Sequence, residues 1–164
     1  MIKVLKVILI VLLLAFIVIQ FFKPAKDIRE EIPANQITAI QNVPENVQQI
    51  LKVSCYDCHS NTTHFPWYDH IQPVTWVLQD HIVEGKKELN FSEFATYPVY
   101  RRYKKFKEIQ QQIKEDEMPI FSYTILHREA VLSAEQKSVL IDWAASSMKE
   151  MEAQYPADSL VRKK

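Results

Sequence analysis

The longest hydrophobic run in the sequence lies at its N-terminus. Residues 4–22 are apolar except for Lys6, which can extend toward the water interface, and Gln20. A helix of this length spans about 28 Å, close to the roughly 30 Å hydrocarbon core of a bilayer. Because Lys3 and Lys6 precede or begin the run, the positive-inside rule predicts a single-pass helix within residues 1–23 and a cytoplasmic N-terminus.

A cleaved signal peptide is the alternative interpretation of this segment. Cleavage requires small residues in an A-x-A-like pattern directly after the apolar run. The run ends instead in the bulky and charged sequence Ile19 to Pro24. We therefore predict that the segment is not removed and serves as a membrane anchor.

Beyond the anchor, the hydrophobic pattern divides the chain into three parts. Residues 24–42 contain Pro24 and Pro33 but no sustained period, and are predicted to form a tether. Residues 43–153 repeat apolar positions at intervals of three and four, which is typical of amphipathic helices. Residues 154–164 are polar and are predicted to form a tail. We find no sustained alternation of apolar and polar positions of the kind that indicates strands.

Four or five short helices are predicted within residues 43–153. Prolines separate several of them, Gly85 is predicted as a C-terminal cap, and Ser133 with Gln136 forms a capping-box pattern. The predicted helices run from Val43 into Cys55, from Pro73 to Gly85, from Ser92 to before Pro98, from Tyr100 to near Met118, and onward from Ser133. The second of these helices is predicted to bury one apolar face, which consists of Val74, Val77, Leu78, His81 and Ile82.

Composition supports an all-α fold and excludes several others. The chain has one glycine in 164 residues, whereas tight hairpins, phosphate-binding loops and dinucleotide-binding folds depend on glycine. A β-sandwich, a P-loop fold and a Rossmann fold are therefore disfavoured. Two cysteines cannot build a disulfide-rich scaffold. Short helices joined by long loops also bury little apolar surface, and a buried prosthetic group would supply the missing interior.

The charge distribution disfavours a nucleic-acid-binding protein. The chain has 20 basic and 20 acidic side chains, and three of the lysines lie in or beside the anchor, so the remainder is slightly acidic. One basic run stands out, and it is either a solvated helix face or a docking patch for an acidic redox partner protein. This basic run consists of Arg101, Arg102, Lys104, Lys105 and Lys107.

The clearest chemical signal is the segment from Cys55 to His59, which has the C-x-x-C-H pattern of c-type haem attachment. Two thiols three positions apart on a helical turn can each form a thioether with one vinyl group of the porphyrin. The imidazole of His59 then lies beneath the ring, where its Nε2 reaches the iron. The pattern predicts one covalent haem c per chain. Because this attachment occurs outside the bacterial cytoplasm, the domain is predicted to lie on the periplasmic side of the inner membrane.

Zinc binding, thiol–disulfide chemistry and a plain disulfide are the three alternative uses of these cysteines. A zinc site would combine Cys55, Cys58, His59 and His64, but no second pair of ligands follows along the chain. A redox-active C-x-x-C is usually found at a strand-to-helix junction, and no such strand is predicted. A plain disulfide would leave the position of His59 unexplained.

The distal ligand of the iron is predicted to be Met118. Low-spin cytochromes take a methionine sulfur or a second histidine at this position. Met118 lies at a helix break directly before Pro119, a residue that stiffens a loop because its φ is fixed. His81 and His127 remain as rival distal ligands, and ordinary loop packing remains as a structural explanation for Met118.

Several stretches resemble a known family. They are CYDCHSNTTHFPWYDHIQPVTW, DHIVEGKKELNFSEF and EMPIFSYTILHREAVLSAEQKSVLIDW. Over most of residues 43–145 the chain is similar to the bacterial haem-binding domain family of small, membrane-anchored or periplasmic monohaem c-type cytochromes. The resemblance implies haem carried by Cys55 and Cys58 and ligated by His59, and it favours Met118 as the distal ligand. Unlike many class I cytochromes c, the chain has no glycine in its first predicted domain helix.

Together, these expectations describe a membrane-anchored electron carrier with a cytochrome c-like bundle around a covalent haem. Iron closed on both axial sides leaves no place for a substrate, so we expect no small-molecule substrate and no enzymatic role. The alternative is a gas sensor or weak peroxidase with an open distal position, and a remote third possibility is a zinc-stabilised interaction module.

Overall fold

The computed structural model describes residues 1–162, and residues 163 and 164 of the predicted tail lie outside this range. The α-helices are α1 (Ile2–Ile19), α2 (Glu45–Ser54), α3 (Tyr56–His59), α4 (Val74–Glu88), α5 (Val99–Lys114), α6 (Phe121–Thr124) and α7 (Ala134–Gln154). Short 3-10 turns lie at Pro33–Asn35, Ile37–Ala39, Trp67–His70, Phe94–Thr96, Arg128–Ala130 and Ala157–Ser159. No strand occurs among the described residues. The predicted all-α fold is confirmed.

Helix α1 has the properties of a membrane span. Its 18 residues have a mean hydropathy of 3.1, and none of them is buried against the rest of the chain. At 1.5 Å per residue the helix is about 27 Å long. By length and composition it can therefore cross a membrane, as predicted.

The core forms where α5 and α7 pack side by side and α2 lies against α7. The ring of Phe106 meets that of Trp143 nearly edge-on, with 5.4 Å between the ring centroids. Phe94 packs against the other side of Phe106 at 5.3 Å. Apolar side chains of α5 therefore lie at the centre of the core.

Helix α7 begins as its sequence predicts. The hydroxyl of Ser133 accepts a hydrogen bond from the backbone N–H of Gln136, and the Gln136 side chain accepts one from the N–H of Ser133. These reciprocal bonds satisfy two donors that the first turn of a helix leaves free. The predicted capping box is confirmed.

Helix α4 continues past the residue that was expected to end it. It runs through Gly85 to Glu88, and Leu89 with an extended φ of −142° terminates it. The prediction of Gly85 as a C-terminal cap was therefore wrong. Lys86 and Lys87 are good helix formers that extend the helix by a further turn, so the glycine has another role, which is described with the site below.

The face that α4 buries also differs from the predicted one. The buried side chains of α4 are those of Thr75, Gln79, Ile82 and Lys86. Val74 and Val77 of the predicted apolar face are instead 41% and 52% exposed. The cause is Asp69, whose buried carboxylate needs donors: its Oδ1 accepts a hydrogen bond from Gln79 at 3.0 Å. The buried carboxylate of Asp69 thus favours a helix orientation in which Gln79 faces the interior of the domain.

The helix predicted from Ser92 is reduced to a single 3-10 turn, Phe94–Thr96. Ser92 does not cap it. Its hydroxyl accepts a hydrogen bond from the backbone N–H of Asn61 at 2.9 Å and donates one to Glu31. The expectation of an N-cap is overturned because distant partners compete for the serine hydroxyl.

The segments on either side of the helical domain also contribute to its core. Ile37 is 1% exposed and Leu160 is 9% exposed, and both belong to the main cluster of buried apolar residues. The division of the chain at residues 24–42, 43–153 and 154–164 stays a prediction.

Candidate functional site

The C-x-x-C-H segment forms one helical turn directly after α2. Cys55 ends α2 and begins α3, and its carbonyl accepts hydrogen bonds from the N–H groups of Cys58 at 3.2 Å and His59 at 2.9 Å. Residues three and four positions apart on a helical turn share one side. The two thiols and the imidazole are therefore presented together, as the motif predicts.

Both cysteines are free thiols with weakened acidity. Burial raises the pKa of Cys55 to about 12. Burial also raises the pKa of Cys58 to about 11, with a further contribution from the negative charge of Asp57. Redox-active cysteines require a lowered thiol pKa, so this environment does not support the thiol–disulfide alternative.

The zinc alternative also lacks support. Among residues 1–162, no three His, Cys, Asp or Glu side chains are grouped so that they could hold a metal ion. His64, which this alternative requires as a ligand, has a side chain that is 80% exposed and lies 3.4 Å from an oxygen of Asp57.

The imidazole of His59 is oriented by two backbone carbonyls. Its Nδ1 lies 2.9 Å from the carbonyl oxygen of Gly85 and 2.9 Å from that of Leu89. Because a carbonyl can only accept, Nδ1 carries the proton and Nε2 presents a lone pair. Burial lowers the pKa of His59 below its usual value, against the opposing effect of these hydrogen bonds. The neutral ring is the form that binds iron.

Gly85 allows α4 to approach the C-x-x-C-H turn. A Cβ atom at this position would lie 2.6 Å from the carbonyl oxygen of Cys58. The helix backbone and the turn backbone are thus in direct contact, and the carbonyls of α4 come within reach of the imidazole. The single glycine of the chain serves this close approach.

A cleft with two lobes surrounds the turn. One lobe, of about 210 Å³, lies between the turn, α4 and residues 118–123. The other, of about 400 Å³, lies between the turn and α5. Cys55, His59, Glu88 and Met118 border both lobes. The combined size falls in the range of roughly 300–1,000 Å³ that is usual for small-molecule and cofactor pockets.

The residues around this cleft fit a covalent haem. Two thiols and a neutral imidazole lie on one helical turn, and the sulfur-bearing side chain of Met118 borders the same space from the loop after α5. Cysteine thiols form the thioether bonds of c-type haem, and imidazole nitrogen and methionine sulfur are common ligands of haem iron. The structure thus brings together all four residues that the sequence singled out.

The two rival histidines differ in their surroundings. His81 of α4 lines the smaller lobe together with Met118. His127 has both ring nitrogens in use, with Nε2 at 2.6 Å from the hydroxyl of Tyr68 and Nδ1 at 3.2 Å from Glu129. Of the two, His81 is therefore the one positioned at the cleft.

An aromatic and polar bridge joins the loop after Met118 to the C-x-x-C-H turn. The hydroxyl of Tyr123 donates to Asp57 Oδ2 at 2.7 Å, and burial together with this bond raises the pKa of Tyr123. The Tyr123 ring also stacks on His127 with 4.3 Å between centroids, and His127 in turn bonds Tyr68. Sequence reasoning did not identify Tyr123 as a site residue, because its partner is 66 positions away.

Most side chains of the basic run make contacts with other residues of the chain. Arg101 stacks on the Tyr97 ring at 4.0 Å, and Arg102 donates to the Tyr97 carbonyl. Lys105 is buried in the wall of the larger lobe and pairs with Glu88 and Glu108. These contacts favour a structural role for the run over a free docking patch.

Comparison with known proteins supports the resemblance seen in the motifs. A family model described as a haem-binding domain matches residues 14–146, a range that includes the whole cleft. No curated protein and no solved structure matches the chain.

Replacing Gly85 with alanine should destabilise the protein. The new methyl group would overlap a backbone carbonyl that cannot swing away, and overpacking typically costs about 1–3 kcal/mol. This cost exceeds the gain of up to about 1 kcal/mol in helix propensity. Chemical denaturation measures the difference, with Val83→Ala on the exposed side of α4 as the control. A Gly85→Ala protein that is more stable than the wild type would contradict the close approach.

Removing the Tyr123 hydroxyl should lower the stability of the protein, because the bridge to Asp57 loses its hydrogen bond. Tyr123→Phe loses a hydrogen bond to a carboxylate, and such bonds contribute about 1.5–3 kcal/mol to stability. Denaturation and hydrogen exchange across residues 118–127 should both report the loss. Tyr100→Phe is the matched control, since that hydroxyl makes no hydrogen bond among the described residues. Equal stability of the two variants would argue against the bridge.

Proposed function

The chain belongs to the haem-binding domain family and binds haem, and from this premise we propose that it is a membrane-anchored monohaem c-type cytochrome. Its proposed task is one-electron transfer on the periplasmic side of the bacterial inner membrane. The observation that carries the proposal is the convergence of Cys55, Cys58, His59 and Met118 on one cleft. A bound haem would supply an iron that changes between two oxidation states.

Each of these residues has a distinct role in the proposed site. Cys55 and Cys58 would hold the porphyrin through thioethers, and His59 Nε2 would be the proximal ligand. The carbonyls of Gly85 and Leu89 orient that ring and make Nε2 the better donor. Met118 would supply the distal sulfur, and methionine with histidine gives a higher potential than two histidines.

The proposed electron carrier is not an enzyme. If His59 and Met118 both held the iron, no coordination position would remain for a substrate. Redox partner proteins are then its only expected functional contacts besides the membrane.

The topology follows from the N-terminal segment. Helix α1 is long and apolar enough to span a bilayer, and Lys3 and Lys6 favour a cytoplasmic N-terminus. The domain after α1 would then be exported to the compartment in which c-type haem is attached.

A gas sensor or weak peroxidase is the second candidate. The observation in its favour is His81, which lines the cleft beside Met118 and could act as a distal acid–base group. This alternative requires that Met118 leaves the iron open.

Covalent attachment is the first consequence to test. Mass spectrometry of the denatured, periplasmically matured protein should show one haem retained per chain, because thioethers survive unfolding. The double variant Cys55→Ala, Cys58→Ala should lose it, and each single variant should keep one thioether. Haem that extracts freely into acidic organic solvent would overturn the c-type assignment.

Replacing Met118 should open the iron without releasing the haem. Met118→Ala should retain covalent haem, lose the weak far-red sulfur-to-iron charge-transfer band, show a lower reduction potential and bind carbon monoxide readily. Met148→Ala on α7 is the control and should keep the wild-type spectrum. If the wild type already binds carbon monoxide rapidly, or if His81→Ala alters the spectrum and Met118→Ala does not, the sensor or peroxidase becomes the better model.

A further inference from the structure

The end of α1 is bound to the start of α4. The side-chain amide of Gln20 donates to the carbonyl of Gln72 at 3.2 Å and accepts from the N–H of the same residue at 2.9 Å. Nearby, the indole N–H of Trp76 donates to the carbonyl of Phe22 at 2.7 Å. Three hydrogen bonds therefore join the point where the chain leaves α1 to Gln72, just before α4, and to Trp76 in its first turn.

The segment that follows is fastened to the domain as well. The ammonium of Lys26 pairs with Asp69 and lies 4.2 Å from the centre of the Phe65 ring. Lys86 donates to the carbonyl of Asp27 at 2.6 Å. The segment predicted as a tether is thus bonded along its first part, which gives the domain a defined orientation relative to α1.

This orientation determines how deep the first turn of α4 lies relative to the membrane. Helix α1 is about 27 Å long, nearly the roughly 30 Å thickness of the hydrocarbon core, so its C-terminal end reaches the interface. Gln20 follows that end directly, and Gln72 is bonded to Gln20. The start of α4 must therefore lie at the membrane surface.

The surface next to this point is apolar. A groove of about 240 Å³ begins at Pro73 and extends to Cys58. Val74, Val77 and Leu126 line it and are 41%, 52% and 58% exposed. Among the described residues, no Lys, Arg, Asp or Glu lines this groove. Apart from the imidazole of His81, only uncharged side chains line the groove, and an exposed apolar surface of this kind is suited to lipid.

We propose that this apolar face, made of Pro73, Val74, Val77, Leu78, Ile120 and Leu126, rests in the interfacial region of the membrane that holds α1. The inference rests on the proposed anchoring by α1. It gives Val74 and Val77, which are 41% and 52% exposed, an apolar environment outside the chain. It also turns the Cys58 end of the cleft toward the bilayer.

Site-specific photocrosslinking of the full-length chain tests this contact. Benzoylphenylalanine in place of Val77 or Leu126 probes the apolar face, in nanodiscs of phosphatidylethanolamine and phosphatidylglycerol. The same probe in place of Leu12 reports on α1, and in place of the exposed Ser146 it reports on α7. Mass spectrometry then identifies adducts with lipid or with protein.

We expect lipid adducts at Leu12, Val77 and Leu126, each several-fold above Ser146. Adducts at Leu12, with Val77 and Leu126 no higher than Ser146, would overturn the inference and leave the anchor in place. Protein adducts in place of lipid at Val77 would also overturn it, and would indicate a partner chain or a second copy. A Leu12 probe that does not label lipid would overturn the proposed anchoring, and the membrane contact with it.

Discussion

The backbone carbonyls of Gly85 and Leu89 accept hydrogen bonds from the Nδ1–H of His59, and much of the surrounding structure serves this contact. It requires α4 to pass directly over the C-x-x-C-H turn. A side chain at position 85 would prevent that approach, since its Cβ would overlap the Cys58 carbonyl. With the approach made, the imidazole has one tautomer and one orientation, and Nε2 is available on the side of the cleft.

The segment after α4 secures the same histidine from its other side. The N–H of Phe91 donates to the carbonyl of His59 at 2.7 Å, so hydrogen bonds hold both the main chain and the ring of His59. Asn90 is fully buried and bonds Asn61 in the loop beyond the turn. The stretch from Leu89 to Ser92, which contributed to the family resemblance, therefore supports His59, the proposed proximal ligand.

A second set of contacts supports the segment that follows Met118. Tyr123 connects the loop after Met118 to Asp57, which lies between the two cysteines. The bridge links both walls of the cleft through one carboxylate, and Tyr68 with His127 extends it to the loop before α4. The proposed electron-transfer role would benefit from such rigidity, because an iron whose ligands keep their positions on oxidation and reduction has little to rearrange.

Local interactions explain what could be read directly from the sequence. The helix class, the apolar α1, the Ser133 capping box and the grouping of Cys55 with His59 depend on residues within a few positions of one another, or on one composition-wide property such as the scarcity of glycine. Helical periodicity and motif spacing record such interactions directly.

The tertiary structure decided what depends on distant partners. The residues next to Gly85 in the sequence predict a helix cap. Its actual role is to allow close contact with the backbone of Cys58, which lies 27 positions earlier. The polar inward face of α4 is set by Asp69, and the use of Ser92 by Asn61 and Glu31. In each case a buried polar group needed a partner, and the chain satisfied that need at the expense of the local pattern, because leaving such a group unpaired costs more than a weak helix preference gains.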